Sequence, residues 1–439
     1  MSKLAALGGS PVIDRERHGK WPIVTDDERR SVMAVLDRGV LSGSEAPEAR
    51  AFQEEFAAFV GAKHALLTHS GTSALQVAVG ALGIGEGDEV IVPAYSFVAT
   101  ALCVISQGAI PVFVDVEPDT GNMDARLIEA AISPRTKAIM PVHVHGYPAE
   151  LDAILAIAKK HGLFVIEDAA QAHGATYRGK PVGTLAQGAG FSLQSSKNLS
   201  AGEGGVYVTN DESLLEKANR IRNFAQDLNR GDAAHYAPAR ALDGHRALVS
   251  LGVGSMYRGN EMMAAFARAQ LRQLPARTAR AQANATKLFA ALRELPGVIP
   301  QRQDAERQGV HHKVRVWLDP EKAGVKLSPV QLRDATMKAL KAEGCEVVMW
   351  QGAPLPSFPL FRELKGYGKG FPYSASDTAR LKANYEAAYP ATQGLLDSSI
   401  VLFSQTCPLI AQNEATVSLY ADAFRKVWER RADLPELAR

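Results

Sequence analysis

A single lysine, Lys197, interrupts the segment FSLQSSKNLSAGEGG (residues 191–205), in which a short apolar run gives way to polar residues and glycines. A lysine at the end of a predicted strand is most often a solvated surface charge, but its amine can also form a covalent imine with an aldehyde. Ser192 and Gln194 alternate with apolar residues, so both side chains should lie on one face of the strand. The loop that follows can turn tightly beside a ligand because it contains three glycines, Gly202, Gly204 and Gly205.

The segment HSGTSAL (residues 69–75) joins a predicted strand to a predicted helix through Ser70, Gly71 and Thr72. A glycine at this place lets backbone N–H groups approach an anion, and the start of a helix carries partial positive charge. The hydroxyl of Thr72 adds a further donor. Taken alone, these residues are slightly more typical of an ordinary helix N-cap than of an anion site.

Acidic residues stand at the end of a third segment, VIEDAAQAHG (residues 165–174), where Glu167 and Asp168 close a strongly apolar strand. An acid in such a place is costly unless it has a partner, although it is equally typical of a cap for the next turn. Gln171 follows three residues later and can face the same site. Phe97 follows another predicted strand and is, by itself, more typical of a core residue than of a ring-stacking platform.

An alternation of strands and helices must position these segments. The predicted strands cover residues 65–69, 89–94, 111–116, 137–144, 163–169, 188–194 and 204–210, and the predicted helices cover residues 47–61, 72–83, 97–108, 124–132 and 150–162. Such an alternation of apolar strands with helices predicts an α/β fold whose mostly parallel sheet is covered on both faces. Ligands of open α/β sheets bind beyond the carboxyl ends of the strands, so the polar segments should meet at one edge.

After about residue 275 the pattern changes to that of a smaller α+β domain. It predicts a long helix (276–295), a strand near HHKVRVWL, a helix from the cap Ser328 to the stop Gly344, a strand (345–350) and a loop rich in proline and glycine (351–373). We therefore expect a lead-in segment over residues 1–30, a large α/β domain over 31–275 and a small C-terminal domain over 276–439.

Pyridoxal 5'-phosphate requires the set of groups that these segments bring to one sheet edge: an anion cradle, an acid, an aromatic face and a lysine. Its phosphate needs a helix N-terminus and hydroxyls, and its aldehyde needs a lysine amine. Its ring nitrogen needs a carboxylate that keeps it protonated, so that the ring can take up electrons. The residues thus predict a pyridoxal-phosphate enzyme.

Other kinds of site fit the sequence less well. The glycine run GIGEG precedes a strand instead of opening a helix, and the patterns GxxxxGK[ST], HExxH and GxSxG do not occur. His143 and His145 are expected to share one face of a strand and to pack or line the edge of the site, and we predict no metal site.

The bulk properties are those of an ordinary globular protein, with 46% hydrophobic and 22% charged residues in 439 and a formal net charge of +2. Nothing in this charge balance indicates a nucleic-acid partner. Cys103, Cys345 and Cys407 are too far apart in the sequence to indicate a disulfide framework, and the first two should be core residues. We expect no membrane segment and a cytoplasmic location.

Seven motifs occur in the order and spacing of one known family: SGTSAL, GDEVIVPAYSFVATA, PVFVDVEPDTGNMD, PVHVHGYPAELDAI, VIEDAAQAHGA, FSLQSSKNLSAGEGG and GSMYRGNEMMAAFARAQL. The chain resembles the DegT/DnrJ/EryC1/StrS aminotransferases, which act on sugars and cyclitols. The resemblance is dense over residues 5–275 and looser beyond them. It implies a pyridoxal-phosphate-dependent homodimer of fold type I (aspartate aminotransferase-like), with each active site at the subunit interface.

The resemblance also implies a role for each site residue. Lys197 matches the Schiff-base lysine and Asp168 the partner of the pyridine nitrogen. Phe97 matches the residue stacked on the ring. Gly71, Thr72 and Ser192 match residues that contact the phosphate. Gln171 matches a residue near the ring hydroxyl.

Within the family, FSLQSSKNLSAGEGG is most similar to the branch of the L-glutamine:scyllo-inosose aminotransferases and aminohydroxybenzoate synthases. One position departs from the family pattern. Met256 replaces an asparagine that, in the family, reaches the cofactor phosphate of the partner subunit. A methionine cannot make that hydrogen bond, so phosphate binding is weaker here, or Tyr257 or another group compensates.

The expected activity is a ping-pong transamination, in which L-glutamine or L-glutamate donates the amino group and a keto-sugar or keto-cyclitol accepts it. Two alternatives are a pyridoxal-phosphate-dependent sugar dehydratase, which typically has histidine in place of the lysine, and a non-catalytic cofactor-binding regulator. Residues 226–250 and 350–361 are expected to shape the acceptor pocket, by their position in the resembling family.

Overall fold

The computed structural model describes residues 3–43, 46–226, 250–403 and 405–438. Its strands in chain order are β1 (His64–Thr68), β2 (Glu89–Pro93), β3 (Ile110–Val114), β4 (Thr136–Ile139), β5 (Phe164–Asp168), β6 (Thr176–Tyr177), β7 (Lys180–Pro181), β8 (Gly188–Ser192), β9 (Gly205–Thr209), β10 (Val298–Pro300), β11 (Arg307–Gln308), β12 (Val314–Leu318), β13 (Val347–Val348) and β14 (Ser399–Leu402).

The α-helices are α1 (Asp26–Arg38), α2 (Pro47–Val60), α3 (Gly71–Ala81), α4 (Ala99–Ile105), α5 (Ile128–Ala131), α6 (Leu151–His161), α7 (Glu212–Ile221), α8 (Glu261–Arg293), α9 (Pro320–Ala323), α10 (Pro329–Ala342), α11 (Pro359–Arg362), α12 (Thr378–Glu386), α13 (Pro390–Ser398), α14 (Glu414–Glu429) and α15 (Leu434–Leu437).

The central sheet has seven strands in the order β1-β9-β8-β5-β4-β2-β3. Five of them, β8, β5, β4, β2 and β3, pair in parallel, whereas β9 is antiparallel to both of its neighbours. This arrangement confirms the predicted α/β fold with a mostly parallel sheet. It also brings the carboxyl ends of the parallel strands to one edge.

Helices cover both faces of this sheet because its strands are apolar on both sides. Val90 and Val92 of β2 belong to an apolar cluster with α3 and α4, whereas Ile91 between them belongs to a separate cluster with α6. Side chains alternate between the two faces of a strand, so a strand that is buried on both faces reads as a continuous apolar run.

The C-terminal part of the chain forms a second sheet of four antiparallel strands, in the order β10-β12-β14-β13. The helix α10 begins after the predicted cap Ser328, which forms a capping box with Gln331, and Gly344 adopts the positive φ expected after the end of the helix. The predicted strand 345–350 is reduced to β13, and β14 was not predicted. The strand β14 (SIVL) begins directly after α13. In the sequence its first residues therefore look like a continuation of the helical pattern.

Two predicted boundaries are wrong. The helix predicted over residues 276–295 starts at Glu261 and continues through Pro275, because the buried residues on both sides of the proline hold it in the core. The predicted boundary at residue 275 therefore falls inside one helix, although the division into two domains stays a prediction. The irregular lead-in ends at Thr25, which caps α1 in a capping box with Glu28.

Two further predictions from the sequence concern the cysteines and membrane-spanning helices. Cys103 and Cys345 are buried free thiols, as predicted. No helix in the described parts of the chain combines the length and the apolar character needed to cross a membrane.

One buried acid ties three helices together. Glu261, at the start of α8, is fully buried and accepts hydrogen bonds from the backbone N–H groups of Glu48 (3.0 Å) and Ala49 (2.7 Å) in the first turn of α2. Arg38, at the end of α1, donates a third hydrogen bond at 2.9 Å. Glu261 thus satisfies N–H groups that have no partner inside their own helix.

Replacing Glu261 with alanine should therefore lower the free energy of unfolding by about 2–4 kcal/mol, because two backbone donors and Arg38 lose their acceptor. Urea denaturation followed by circular dichroism measures the change. Glu54→Ala, an exposed position on α2, is the matched control and should alter stability by less than about 0.5 kcal/mol. Equal effects of the two substitutions would contradict the role of Glu261 as a link between helices.

Candidate active site

A cavity of about 330 Å³ opens at the carboxyl edge of the central sheet. Its wall contains all seven site residues that the sequence predicts. They are Gly71, Thr72, Phe97, Asp168, Gln171, Ser192 and Lys197. The fold thus brings together residues that lie up to 126 positions apart in the chain (197 minus 71).

Lys197 lies in the turn that follows β8, and its side chain is half-buried in the cavity. Its backbone N–H donates to the carbonyl of Gln194 at 2.8 Å, and its carbonyl accepts from the indole N–H of Trp21 at 3.1 Å. Burial lowers the pKa of the Lys197 amine to about 8, although the negative charge of Asp168 opposes this shift. A lysine amine with such a pKa is free in a substantial fraction near neutral pH and is a good nucleophile.

Asp168 ends β5 and is 4% exposed. Its carboxylate accepts a hydrogen bond from the Thr100 hydroxyl (2.7 Å) and one from the backbone N–H of Ala170 (3.1 Å). Burial raises the pKa of Asp168 above its ordinary value, and the two hydrogen bonds and the nearby Lys197 act in the opposite direction. Within the described residues no ion pair satisfies this carboxylate, so it is suited to bind a cationic group of a ligand.

The turn from β1 into α3 forms a tight cradle. Ser70 caps α3 in a capping box with Ser73, and the N–H groups of Gly71 and Thr72 lie in the first turn, where they have no intrahelical partner. A Cβ atom on Gly71 would stand 2.6 Å from the Cβ of Ser192, so only glycine fits here. The cradle combines free backbone donors with the hydroxyls of Thr72 and Ser192, which is the chemistry of an anion site.

The glycines after Lys197 permit the close approach that the sequence analysis expected. Gly202 and Gly204 have positive φ angles of 82° and 146°. A Cβ atom on Gly205 would lie 2.2 Å from the carbonyl oxygen of Ser70. The chain can therefore pass directly against the cradle because Gly205 lacks a side chain, whereas Gly202 and Gly204 supply the positive φ angles of the turn before it.

Glu167 points away from the cavity and has a structural role. Its carboxylate is fully buried and accepts from the backbone N–H groups of Gly183 (2.7 Å), Leu185 (2.9 Å) and Ala186 (3.1 Å). The imidazole of His143 lies 3.0 Å from the same carboxylate. Of the two acids at the end of β5, only Asp168 lines the cavity.

The prediction that His143 and His145 share a strand face is wrong. The strand predicted over 137–144 ends at Ile139, because Pro141 has no N–H group to extend the ladder. His143 and His145 follow it in irregular structure, and the backbone N–H of His145 donates to the side chain of Gln171 at 2.9 Å. The described residues contain no cluster of side chains that would hold a metal ion.

Several residues of the cavity wall were not predicted. The principal ones are Thr100, which contacts Asp168, and His312, Lys313 and Gln405 from the C-terminal part of the chain. Lys313 precedes the apolar strand β12, and a lysine beside apolar residues is the signal that could have revealed it. Trp350 confirms that the segment 350–361 reaches the cavity, whereas residues 227–249 of the other predicted segment lie outside the described residues.

Met256 and Tyr257 do not line the cavity of their own chain. The Met256 side chain is 40% exposed, and its sulfur lies 3.3 Å from the Arg258 guanidinium. The Tyr257 ring packs against His69 at a centroid distance of 5.5 Å. Nothing in the described residues therefore supports the idea that Tyr257 replaces the asparagine as a phosphate contact within its own chain. A contact from Tyr257 to the phosphate of a partner subunit stays a prediction.

Comparison with known protein families matches residues 22–382 to the "DegT/DnrJ/EryC1/StrS aminotransferase family". Among curated proteins, the chain is similar to protein MosB of Rhizobium meliloti, with 33% identity over 95% of this chain and 79% of that protein. It is also similar to a putative L-glutamine:3-amino-2,3-dideoxy-scyllo-inosose aminotransferase of Streptoalloteichus tenebrarius, with 37% identity over 79% of each chain.

Among solved structures, the fold is similar to that of DesV from S. venezuelae, which was crystallised in complex with a ketimine intermediate. The TM-score is 0.75 at 31% identity, and the match covers 92% of this chain and 95% of DesV. The similarity therefore extends through the C-terminal part of the chain, where the sequence resemblance is looser.

The lowered pKa of Lys197 has a direct consequence for its reactivity. At pH 8 about half of this amine should be unprotonated, compared with about 0.4% of an ordinary lysine. Competitive acetylation of the cofactor-free protein across pH 6 to 10, followed by peptide mass spectrometry, should therefore show half-maximal labelling of Lys197 near pH 8. The exposed Lys326 is the internal reference, and parallel labelling curves for the two lysines would contradict the shift.

Proposed function

Because the chain belongs to the DegT/DnrJ/EryC1/StrS aminotransferase family, we propose that it transfers the amino group of L-glutamine or L-glutamate to the ketone of a sugar or cyclitol, with pyridoxal 5'-phosphate in the cavity beside Lys197. The observation that carries this proposal is that half-buried Lys197 shares one cavity with Asp168, for whose carboxylate the described residues show no ion pair. The name of the Streptoalloteichus relative, which specifies L-glutamine and an inosose, supports the substrate classes.

The residues of the cavity fit this cofactor. The cradle of Gly71, Thr72 and Ser192 suits a phosphate group, since a Cβ atom on Gly71 would collide with Ser192 and close it. Asp168 suits a protonated ring nitrogen, and Phe97, whose side chain is 56% exposed, offers an aromatic face. When bound, pyridoxal phosphate supplies an aldehyde for the amine and a ring that takes up the electron pair released at the substrate carbon.

Lys197 would act first as the covalent anchor and then as the proton carrier. Once the donor's amine takes its place, the released Nζ atom would accept the proton lost from the substrate carbon and would deliver it to the carbon that carried the cofactor's aldehyde. A pKa of about 8 suits both halves of this task, because some of the amine is unprotonated near neutral pH and can accept a proton, and its ammonium form releases that proton more readily than an ordinary lysine. The hydrogen bond from Trp21 to its carbonyl fixes the backbone from which the side chain extends.

Asp168 would hold the positive charge of the ring nitrogen. An ionised carboxylate at this buried position is unfavourable on its own, as the raised pKa of Asp168 indicates. Pairing with a cation offsets that cost, and the Thr100 hydroxyl and the Ala170 N–H keep both carboxylate oxygens oriented. The homodimer that the resemblance implies stays a prediction.

Replacing Lys197 with alanine should reduce turnover by more than about 10³-fold, since both the anchor and the proton carrier are lost. Borohydride treatment of the wild-type protein loaded with pyridoxal phosphate should attach the cofactor irreversibly to the peptide that contains Lys197, and mass spectrometry detects this label. Lys326→Ala is the control and should retain both activity and labelling. A fully active Lys197→Ala variant, or a label confined to other lysines, would refute the proposed function.

Replacing Asp168 with asparagine should lower turnover by roughly 10²- to 10⁴-fold while cofactor binding persists. The amide keeps the size of the side chain but cannot balance a positive charge on the ring nitrogen. Single-turnover measurements with L-glutamine, together with cofactor content by absorbance, separate the two effects. Turnover within about threefold of wild type would show that Asp168 has no role in the chemistry.

A further inference from the structure

Lys313 is a cation of the cavity wall to which the proposed cofactor contacts assign no task. Its side chain lines the cavity, yet the residue is only 2% exposed. Within the described part of the chain, its ammonium group forms no ion pair and no side-chain hydrogen bond. A buried ammonium without a partner is costly, so a ligand that supplies a negative charge would be bound favourably here.

The backbone holds Lys313 close to the loop of Lys197. The side-chain amide of Asn198 donates to the carbonyl of Val310 at 2.9 Å and so fixes the segment that leads to Lys313. The positive charge of Lys197 adds to burial in lowering the pKa of Lys313 to about 8. Both lysines line the same cavity, and most of Lys313 still carries its charge at neutral pH.

Two acids lie near Lys313, but neither pairs with it in the described part of the chain. Glu203 lines the same cavity from an exposed position, and Glu346 acts on Lys313 electrostatically without forming an ion pair. Arg315, two residues further on and 2% exposed, donates to the Tyr95 hydroxyl and to Ser399 and contacts His145, which are neutral groups. The wall beside Lys197 therefore offers a cation that no described carboxylate pairs with, and it is separate from the phosphate cradle at the start of α3.

We propose that Lys313 binds the α-carboxylate of the amino donor and thereby selects α-amino acids over simple amines, an inference that rests on the proposed aminotransferase function. The α-carboxylate is attached to the same carbon as the donor's amine. Since that amine must take the place of Lys197 Nζ, the carboxylate must come to lie close to Lys197. Lys313 is a cation of the cavity wall for which the described residues show no ion pair, and Thr72 and Ser192 belong to the cradle assigned to the phosphate.

An anionic group on the amino acceptor is a second possible source of the same charge. The two sources are separated by studying the donor alone, because the first half-reaction takes place without any acceptor. The loss of affinity for the donor in an acceptor-free experiment can come only from the donor's own carboxylate.

The test uses the protein loaded with cofactor and the variants Lys313→Met, which keeps the length of the side chain without its charge, and Lys313→Arg, which keeps the charge. Lys326→Met, at an exposed position, is the matched control. The concentration that gives half of the full change in the visible cofactor absorbance is measured for L-glutamine, for L-glutamate and for 4-aminobutanamide, which is L-glutamine without its α-carboxylate.

Lys313→Met should raise the half-saturating concentration of L-glutamine and of L-glutamate roughly 10- to 150-fold, the range for the loss of a charged hydrogen bond. The concentration for 4-aminobutanamide should change by less than about threefold, and Lys313→Arg should restore most of the amino-acid affinity. Equal effects on all three amines, no effect on any of them, or an effect on L-glutamate alone would overturn the inference. If wild-type protein shows no response to either amino acid, the proposed function fails instead, so the two failures are distinguishable.

Discussion

Burial of two opposite charges at the carboxyl edge of the central sheet is the constraint on which the site depends. Without a ligand, burial shifts the pKa of Asp168 upward and that of Lys197 downward, so both groups are driven toward their neutral forms. Direct pairing would relieve this cost, but the described residues show no ion pair between them. Each group is thus available to a separate part of a ligand: the carboxylate of Asp168 to a cationic nitrogen, and the unprotonated amine of Lys197 to an electrophilic carbon.

The alternation of side chains along β5 explains how the fold tolerates an acid in this place. Glu167 and Asp168 are adjacent and point to opposite faces of the sheet. Glu167 is satisfied by three backbone N–H groups from residues 183–186, so it anchors the strand and needs no ligand. Asp168 is held by only one hydroxyl and one N–H group, which leaves room on its carboxylate for a further donor. Of these two neighbouring acids, Glu167 therefore stabilises the fold, whereas Asp168 is available to a ligand.

The sequence predicted the α/β fold and the residues of the cavity because both follow from local patterns. Apolar strands that end in polar residues mark the edge of a parallel sheet, and Ser70, Asp168 and Lys197 each stand at such an end. The boundaries failed where tertiary packing overrides a local signal, as at Pro275, which the buried surface of α8 keeps inside one helix. Lys313 was missed because a lysine beside an apolar strand is a weak signal in the sequence, and only the packed structure shows that it lines the cavity without an ion-pair partner among the described residues.

The origin of the cavity wall in the chain also suggests how one fold can serve different substrates. Every residue proposed to hold the cofactor comes from the first 200 positions, whereas Lys313 and Trp350 come from the C-terminal part. Cofactor chemistry requires fixed distances, which the buried central sheet provides. With Lys313 binding the donor as proposed, recognition of the substrates would rest on the C-terminal part of the wall, so substitutions there should change the preferred substrate without disturbing Asp168 or Lys197. A site whose wall comes from two parts of the chain can therefore keep the cofactor-binding residues fixed while the residues that select the substrate vary.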